Sequence, residues 1–165
     1  MIFKRLLLIL SLLSFNTFAF ALDKDLGVSK KFYAHMYKDE SGNKICNAYA
    51  FPSAQSSPSR GKVVKLHITN RPHKRHKHKV SINMGTIITG TKEITLNIDG
   101  KKYKMFAHKN FVFPYNKDDK SIVKRMKRGR TLKVKIKTNS GKTLEDVYSL
   151  QGVVKILSKI DKACR

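Results

Sequence analysis

Several short segments of the chain alternate polar and apolar residues with a period of two, the spacing that sends successive side chains to opposite faces of a strand. The clearest is 131–138, where Leu132, Val134 and Ile136 face one way and Lys133, Lys135 and Lys137 the other, a half-buried strand with a cationic outer face. Residues 92–99 repeat the pattern with Ile94, Leu96 and Ile98 inward, and Asp99-Gly100 then offers the positive-φ positions of a tight hairpin into 101–107. Glu40-Ser41-Gly42-Asn43 separates strands over 32–38 and 44–51. Further strands are expected over 62–69, with Val64, Leu66 and Ile68 inward, and over 143–148 after a Ser140-Gly141 turn.

Two helices are expected. In the first, Asp118 or Asp119 suits the N-cap, Ile122, Val123 and Met126 share a face, and Gly129 suits the C′ position. Lys127 and Arg128 fall in its last turn, where the helix dipole favours cations. The second begins after Ser149, places Leu150, Val153, Val154, Leu157 and Ile160 on one face, and ends at Cys164. The Ser- and Pro-rich stretch 52–60 reads as an exposed loop too short to link domains, and no internal repeat is evident. The expected architecture is one mainly β domain over 22–165, an antiparallel β-sandwich or jelly-roll-like pair of sheets carrying two short helices.

The first 21 residues stand outside that fold. Lys4 and Arg5 form a positive n-region, 6–13 an apolar h-region, and Ala19-Phe20-Ala21 the small residues a signal peptidase reads. The apolar run is far short of the roughly 20 residues a bilayer core needs. A signal peptide cleaved near Ala21 is therefore expected, with the mature chain periplasmic, outer-membrane associated or secreted. Only Cys46 and Cys164 are present, and an even count in an oxidising compartment reads as one disulfide, which would pin the terminal helix onto an N-terminal strand. Two free buried thiols are the alternative. Spacing excludes a CxxC redox site, and number excludes cysteine-only zinc.

From Lys44 to Cys164 the chain resembles the invasion-associated locus B family of exported proteins of Gram-negative bacteria. The resemblance is carried by Gly42-Asn43-Lys44-Ile45-Cys46 followed by Pro52, Arg60-Gly61, Thr69-Asn70-Arg71-Pro72, Val80-Ser81, Gly85, Asp99-Gly100 and Met126-Lys127-Arg128-Gly129. It closes on Asp146-Val147-Tyr148-Ser149-Leu150-Gln151-Gly152 and a final Ala163-Cys164. Tryptophans that the family pattern places near 32–35 and 108–115 are replaced here, the second stretch reading HKNFVFPY. The resemblance implies a β-rich periplasmic or surface-associated domain linked to host-cell invasion or envelope function, with no established catalytic residues.

Charge narrows the chemistry. Without Lys4 and Arg5, 33 basic residues face 11 acidic ones, a formal charge of +22 that repels itself and attracts polyanions. The segment 71–79, RPHKRHKHK, holds Arg71, Lys74, Arg75, Lys77 and Lys79 with His73, His76 and His78 and no acid, and is expected as an exposed loop or strand edge. A second zone, 120–137, includes Lys124, Arg125, Lys127, Arg128, Lys133, Lys135 and Lys137. Both are candidate anion-binding surfaces for anionic lipid, lipopolysaccharide or sulfated glycan, with peripheral membrane contact; nucleic acid would bind only nonspecifically. The dull readings are a solubilising edge and a structural envelope protein with no specific ligand. A metal site at the three histidines is the weakest binding alternative, because adjacent cations disfavour a dication and no carboxylate or thiolate lies nearby in sequence. Charging of the same histidines below about pH 6.5 would strengthen anion binding. No cofactor is expected, and neither Gly-x-Ser-x-Gly nor His-Glu-x-x-His occurs, so a noncatalytic protein is expected.

Overall fold

A computed structural model describes residues 23–138 and 141–165. The expected signal peptide and Ser140 of the expected turn lie outside the described residues. Eleven strands form one antiparallel sheet: β1 (Lys24–Ser29), β2 (Phe32–Lys38), β3 (Lys44–Ala50), β4 (Ala54–Gln55), β5 (Lys65–Arg71), β6 (His76–Asn83), β7 (Thr91–Ile98), β8 (Lys101–His108), β9 (Phe111–Pro114), β10 (Thr131–Thr138) and β11 (Thr143–Ser149). Their spatial order is β1-β2-β3-β5-β6-β9-β8-β7-β10-β11-β4. Strand β8 belongs to both halves: Lys101–Lys104 pair with β7, whereas Met105–His108 pair with β9. The inward faces of the two halves feed one core, so the chain is the expected mainly β antiparallel domain, with α1 (Asp119–Met126) and α2 (Val153–Ala163).

The period-two segments explain that core. Leu132, Val134 and Ile136 of β10, Ile94, Leu96 and Ile98 of β7, and Val64, Leu66 and Ile68 are all buried, each such side chain contributing about 1.5–3 kcal/mol. Asp99 and Gly100 both take positive φ in the β7–β8 hairpin, and the Asp99 carboxylate accepts the N–H groups of Arg130 and Thr131.

Local sequence rules misplace four features. Helix α2 starts at Val153, with Gly152 at its N-cap in the left-handed region (φ 94°), so the buried face is Val153, Ile156, Leu157 and Ile160, and Val154 is 56% exposed. Gly152 is required there because a Cβ would run into the Ser29 carbonyl. Neither Asp118 nor Asp119 caps α1 with its side chain; Asp119 instead accepts Val80 N–H and Lys79 Nζ, tying the helix to β6. Gly129 is close-packed against Ile98 and Asp99 and does not take positive φ. Finally, the segment 52–60 is not simply exposed: β4 pairs with β11, and Arg60 enters the interior.

Arg60 answers the one carboxylate that the described residues carry on an inward strand face. Asp146 of β11 is fully buried, and Arg60 donates to both of its oxygens, to the Met84 carbonyl at 2.9 Å and to the Ser57 carbonyl at 3.3 Å. Beside this pair, the Tyr148 hydroxyl is buried with no hydrogen-bond partner among the described residues. Burial, then the Asp146 charge, push its ionisation far above the ordinary tyrosine range. Cys46 of β3 and Cys164 at the end of α2 form the disulfide, with 6.0 Å between their Cα atoms and a separation of 118 positions in sequence. It fixes a helix that packs on β1, β2, β3 and β5.

Candidate cationic and aromatic surfaces

The RPHKRHKHK segment divides between a turn and a strand. Pro72–Lys74 form a 3-10 turn closed by left-handed Arg75 (φ 53°), and β6 begins at His76. Arg71, Lys74, Arg75 and Lys77 are exposed. The β5–β6 register slips between Thr69 and Arg71, and His78 takes a positive φ of 52° at this bulge. The His78 ring therefore meets Asp161 of α2 at 2.7 Å, while His76 lines a separate depression. A regular strand would have put the two rings on one face. His73 stands 3.8 Å from Asp39, and among the described residues no group of three or more His, Cys, Asp or Glu is placed to hold a metal ion.

Two of the five cations are engaged. Lys79 donates to Asp119 at 2.7 Å and to Asn116 at 3.2 Å, and Lys77 lies 3.7 Å from Asp161. Desolvation, then Lys79, Arg71 and Lys74, hold His76 below the ordinary imidazole range; burial does the same to His78 despite its Asp161 partner. Any gain of anion binding from these rings is thereby moved to lower pH than the sequence suggests.

The second zone also divides. Helix α1 packs against β6, bringing Lys127 near enough to act electrostatically on His78. Lys124, Lys127 and Arg128 are exposed, whereas Arg125 donates to the Ile98 and Asp99 carbonyls at 3.4 and 3.0 Å and so anchors the helix. Lys133, Lys135 and Lys137 project from the outer face of β10. With Lys102, Thr95 and Asn97 they line a groove of about 360 Å³, together with Glu145 opposite Lys135 and Glu93 opposite Lys137 in the strand register. Among the described residues no ion pair joins any of these four lysines to a carboxylate.

The acids explain why. Asp146 and Asp119 serve the interior and α1, and Asp161 is shared by Asn70, His78 and Lys77. Asp39 accepts the Asn43 and Ser41 N–H groups of the β2–β3 turn, and the Asn43 bond chiefly holds it below the ordinary carboxylate range. Burial alone would raise Asp161; the Asn70 amide and the His78 and Lys77 cations more than offset it. Four carboxylates are thus consumed as fasteners, and the lysines of β10 keep only Glu145, opposite Lys135, and Glu93, opposite Lys137, as acidic neighbours, neither within ion-pair distance.

An aromatic face was not foreseen. On the outer side of the β1-to-β9 half, ten rings form one connected network: Tyr37, through His35, together with Tyr33 and Phe51 meets Tyr49, which leads through His67 to Phe111, Phe113, Phe106 and Tyr115. Lys65 Nζ lies 4.9 Å from the Tyr49 centroid and 5.2 Å from that of Phe51, within cation–π range. His67 is held neutral: desolvation, then Lys65, push it down to about 4, and Nδ1 sits 3.2 Å from the Asn47 amide nitrogen, which donates to it. The available signal was an alternation whose outward residues are themselves aromatic, as in Tyr33-x-His35-x-Tyr37 and Phe111-x-Phe113-x-Tyr115. Comparison of the chain with family models, with curated proteins and with solved structures returned no match.

Proposed function

We propose that the mature chain is a noncatalytic exported protein, acting in the periplasm or at the surface, that associates through fixed positive charge with anionic partners of the envelope or host surface. Lipid A phosphates, anionic phospholipid and sulfated glycan all present that chemistry. The observation that supports this reading is the groove on β10, where Lys133, Lys135, Lys137 and Lys102 outnumber Glu93 and Glu145 and form no ion pair among the described residues. Like charges held side by side on a rigid strand raise the local potential and favour an anion. The resemblance to invasion-associated locus B proteins points the same way.

The test is retention of the mature protein on heparin and on anionic vesicles as salt is raised. Release below about 0.5 M salt is expected, because such contacts are screened within a Debye length of about 10 Å or less. The Lys133→Gln/Lys135→Gln/Lys137→Gln variant should elute earlier. Retention unchanged by salt, or by the triple variant, would refute the assignment to this groove.

A further inference from the structure

We infer that the corner where β8 passes between the two halves of the sheet is a binding site for an anionic oligosaccharide, with Phe106 and Tyr115 stacking on its sugar rings and lysines holding its acidic substituents. The inference rests on the reading of the protein as a binder of anionic partners and adds a location and a ligand class to it.

Three depressions run in series there. The first, about 490 Å³, is bordered by Lys101, Lys102, Lys104 and Lys117. The second, about 630 Å³, shares Lys104 and Tyr115 with the first and adds Phe106 and Lys137. The third, about 320 Å³, shares Phe106 with the second and is bordered by Arg71, His76 and Lys79. It opens where β6 and β9 splay apart after only two paired positions, Ile82 with Val112 and Asn83 with Phe111. An aromatic ring thus stands at each junction, and the two rings are in contact at 5.4 Å between centroids. Phe106 is 42% and Tyr115 47% exposed, the two most exposed of the Phe and Tyr rings in the aromatic network.

A linear path of cations broken by exposed rings selects a linear polyanion that also has apolar faces. Simple phosphate or sulfate chains can use the lysines but not the rings. Acyl chains would need a continuous apolar channel, whereas the apolar linings of the second and third depressions are interrupted by Lys104, Lys137, Lys79 and Arg71. A second copy of this chain would bring its own excess of positive charge to the same rim. Sugar rings supply C–H faces for aromatic stacking and hydroxyls for the remaining polar groups. Those groups include Ser121 in the first depression, Thr91 and Glu93 in the second, and Thr69, Ser81 and Asn116 in the third. Glu93, Asp118 and the Lys79-paired Asp119 can accept hydrogens from sugar hydroxyls, donors that polyphosphate and a DNA backbone do not supply.

The experiment is calorimetric titration of the mature chain with a heparin-derived octasaccharide, with inorganic polyphosphate and with oligothymidylate of matched charge. Phe106→Leu/Tyr115→Leu keeps apolar bulk and removes both rings. It should weaken the octasaccharide by about tenfold and leave polyphosphate within about twofold. Lys101→Gln/Lys104→Gln should weaken both. Because Tyr115 is exposed, Tyr115→Leu alone keeps the test open if the double variant folds poorly. Equal loss for octasaccharide and polyphosphate, no loss for either, or oligothymidylate bound as tightly with the same ring dependence would overturn the saccharide site while leaving charge-driven binding standing. Absence of binding to all three by the unaltered chain would overturn both.

Discussion

Replacing Arg60 with methionine should cost this fold a large share of its stability, although the residue sits in a segment that reads as a surface loop. The side chains of Arg60 and Asp146 are 6% and 0% exposed, and Arg60 supplies the charge partner to a carboxylate on the inward face of β11. Arg60→Met leaves that carboxylate buried and unpaired, for which about 3–5 kcal/mol is expected, against a total of about 5–15 kcal/mol for a domain of this kind. Asp146→Leu should be similarly costly because it strands the guanidinium. Removing both charges restores an apolar site, so Arg60→Met/Asp146→Leu should come within about 1 kcal/mol of the unaltered protein or exceed it. Urea unfolding of the four proteins with the disulfide intact gives the coupling energy directly. An Arg60→Met cost below about 1 kcal/mol, or a double variant whose loss equals the sum of the singles, would refute the claim that the pair acts as a unit in the interior.

Three further outcomes follow from the same framework. Cys46→Ala/Cys164→Ala removes a crosslink spanning 118 residues, worth about 5 kcal/mol as an upper figure from chain entropy, and a loss under about 1 kcal/mol in chemical denaturation would show that the crosslink is not what restrains the unfolded chain. His67 falls from 6.5 to about 4 on folding, so the unfolded state takes up the proton first as pH drops. Stability from this group is complete above about pH 6.5 and is lost toward pH 4, by about 2 kcal/mol between pH 7 and pH 5; melts of His67→Gln that keep the full slope would contradict it. Tyr148→Phe removes a buried hydroxyl without a partner and should leave stability equal or raised by up to about 1 kcal/mol, whereas a loss of that size would reveal a hydrogen bond to the hydroxyl.

What could be read in the sequence was what a single strand or helix determines by itself. Alternation located β7, β10 and the buried half of β5, and Asp99-Gly100 located a hairpin, because inward apolar positions and positive φ are local requirements. The missed features depend on partners distant in sequence. The start of strand β6 is hidden by the His- and Lys-rich run that begins it, since its pairing with β5 and the Asp161 and Asp119 contacts come from elsewhere in the chain. The apolar spacing places the start of helix α2 three residues too early because Leu150 continues it, while the backbone is already committed to the Gly152 turn against Ser29. The aromatic path escaped for a related reason: Tyr33 and Tyr49 stack only because β2 and β3 pair in register, and Phe106 and Phe113 only because β8 and β9 do.

The lysine face of β10 allows the binding reading to be separated from mere surface solvation. Lys133, Lys135 and Lys137 recur every second residue, about 7 Å apart, so each neighbouring pair repels by about 0.6 kcal/mol in water at low ionic strength. Glu145 and Glu93 stand opposite Lys135 and Lys137 without closing on them as ion pairs, so they offset only part of this, and the folded state carries a net repulsion below about 1 kcal/mol that the flexible unfolded chain largely avoids. Neutralising all three with glutamine should consequently raise the melting temperature at low salt while lowering retention on heparin. A purely solubilising surface predicts the first effect without the second. Opposite signs in the two measurements would mean that the fold tolerates a destabilising row of charge for the sake of an anionic partner, and a variant that melts higher yet binds heparin as before would place the contact elsewhere on the molecule.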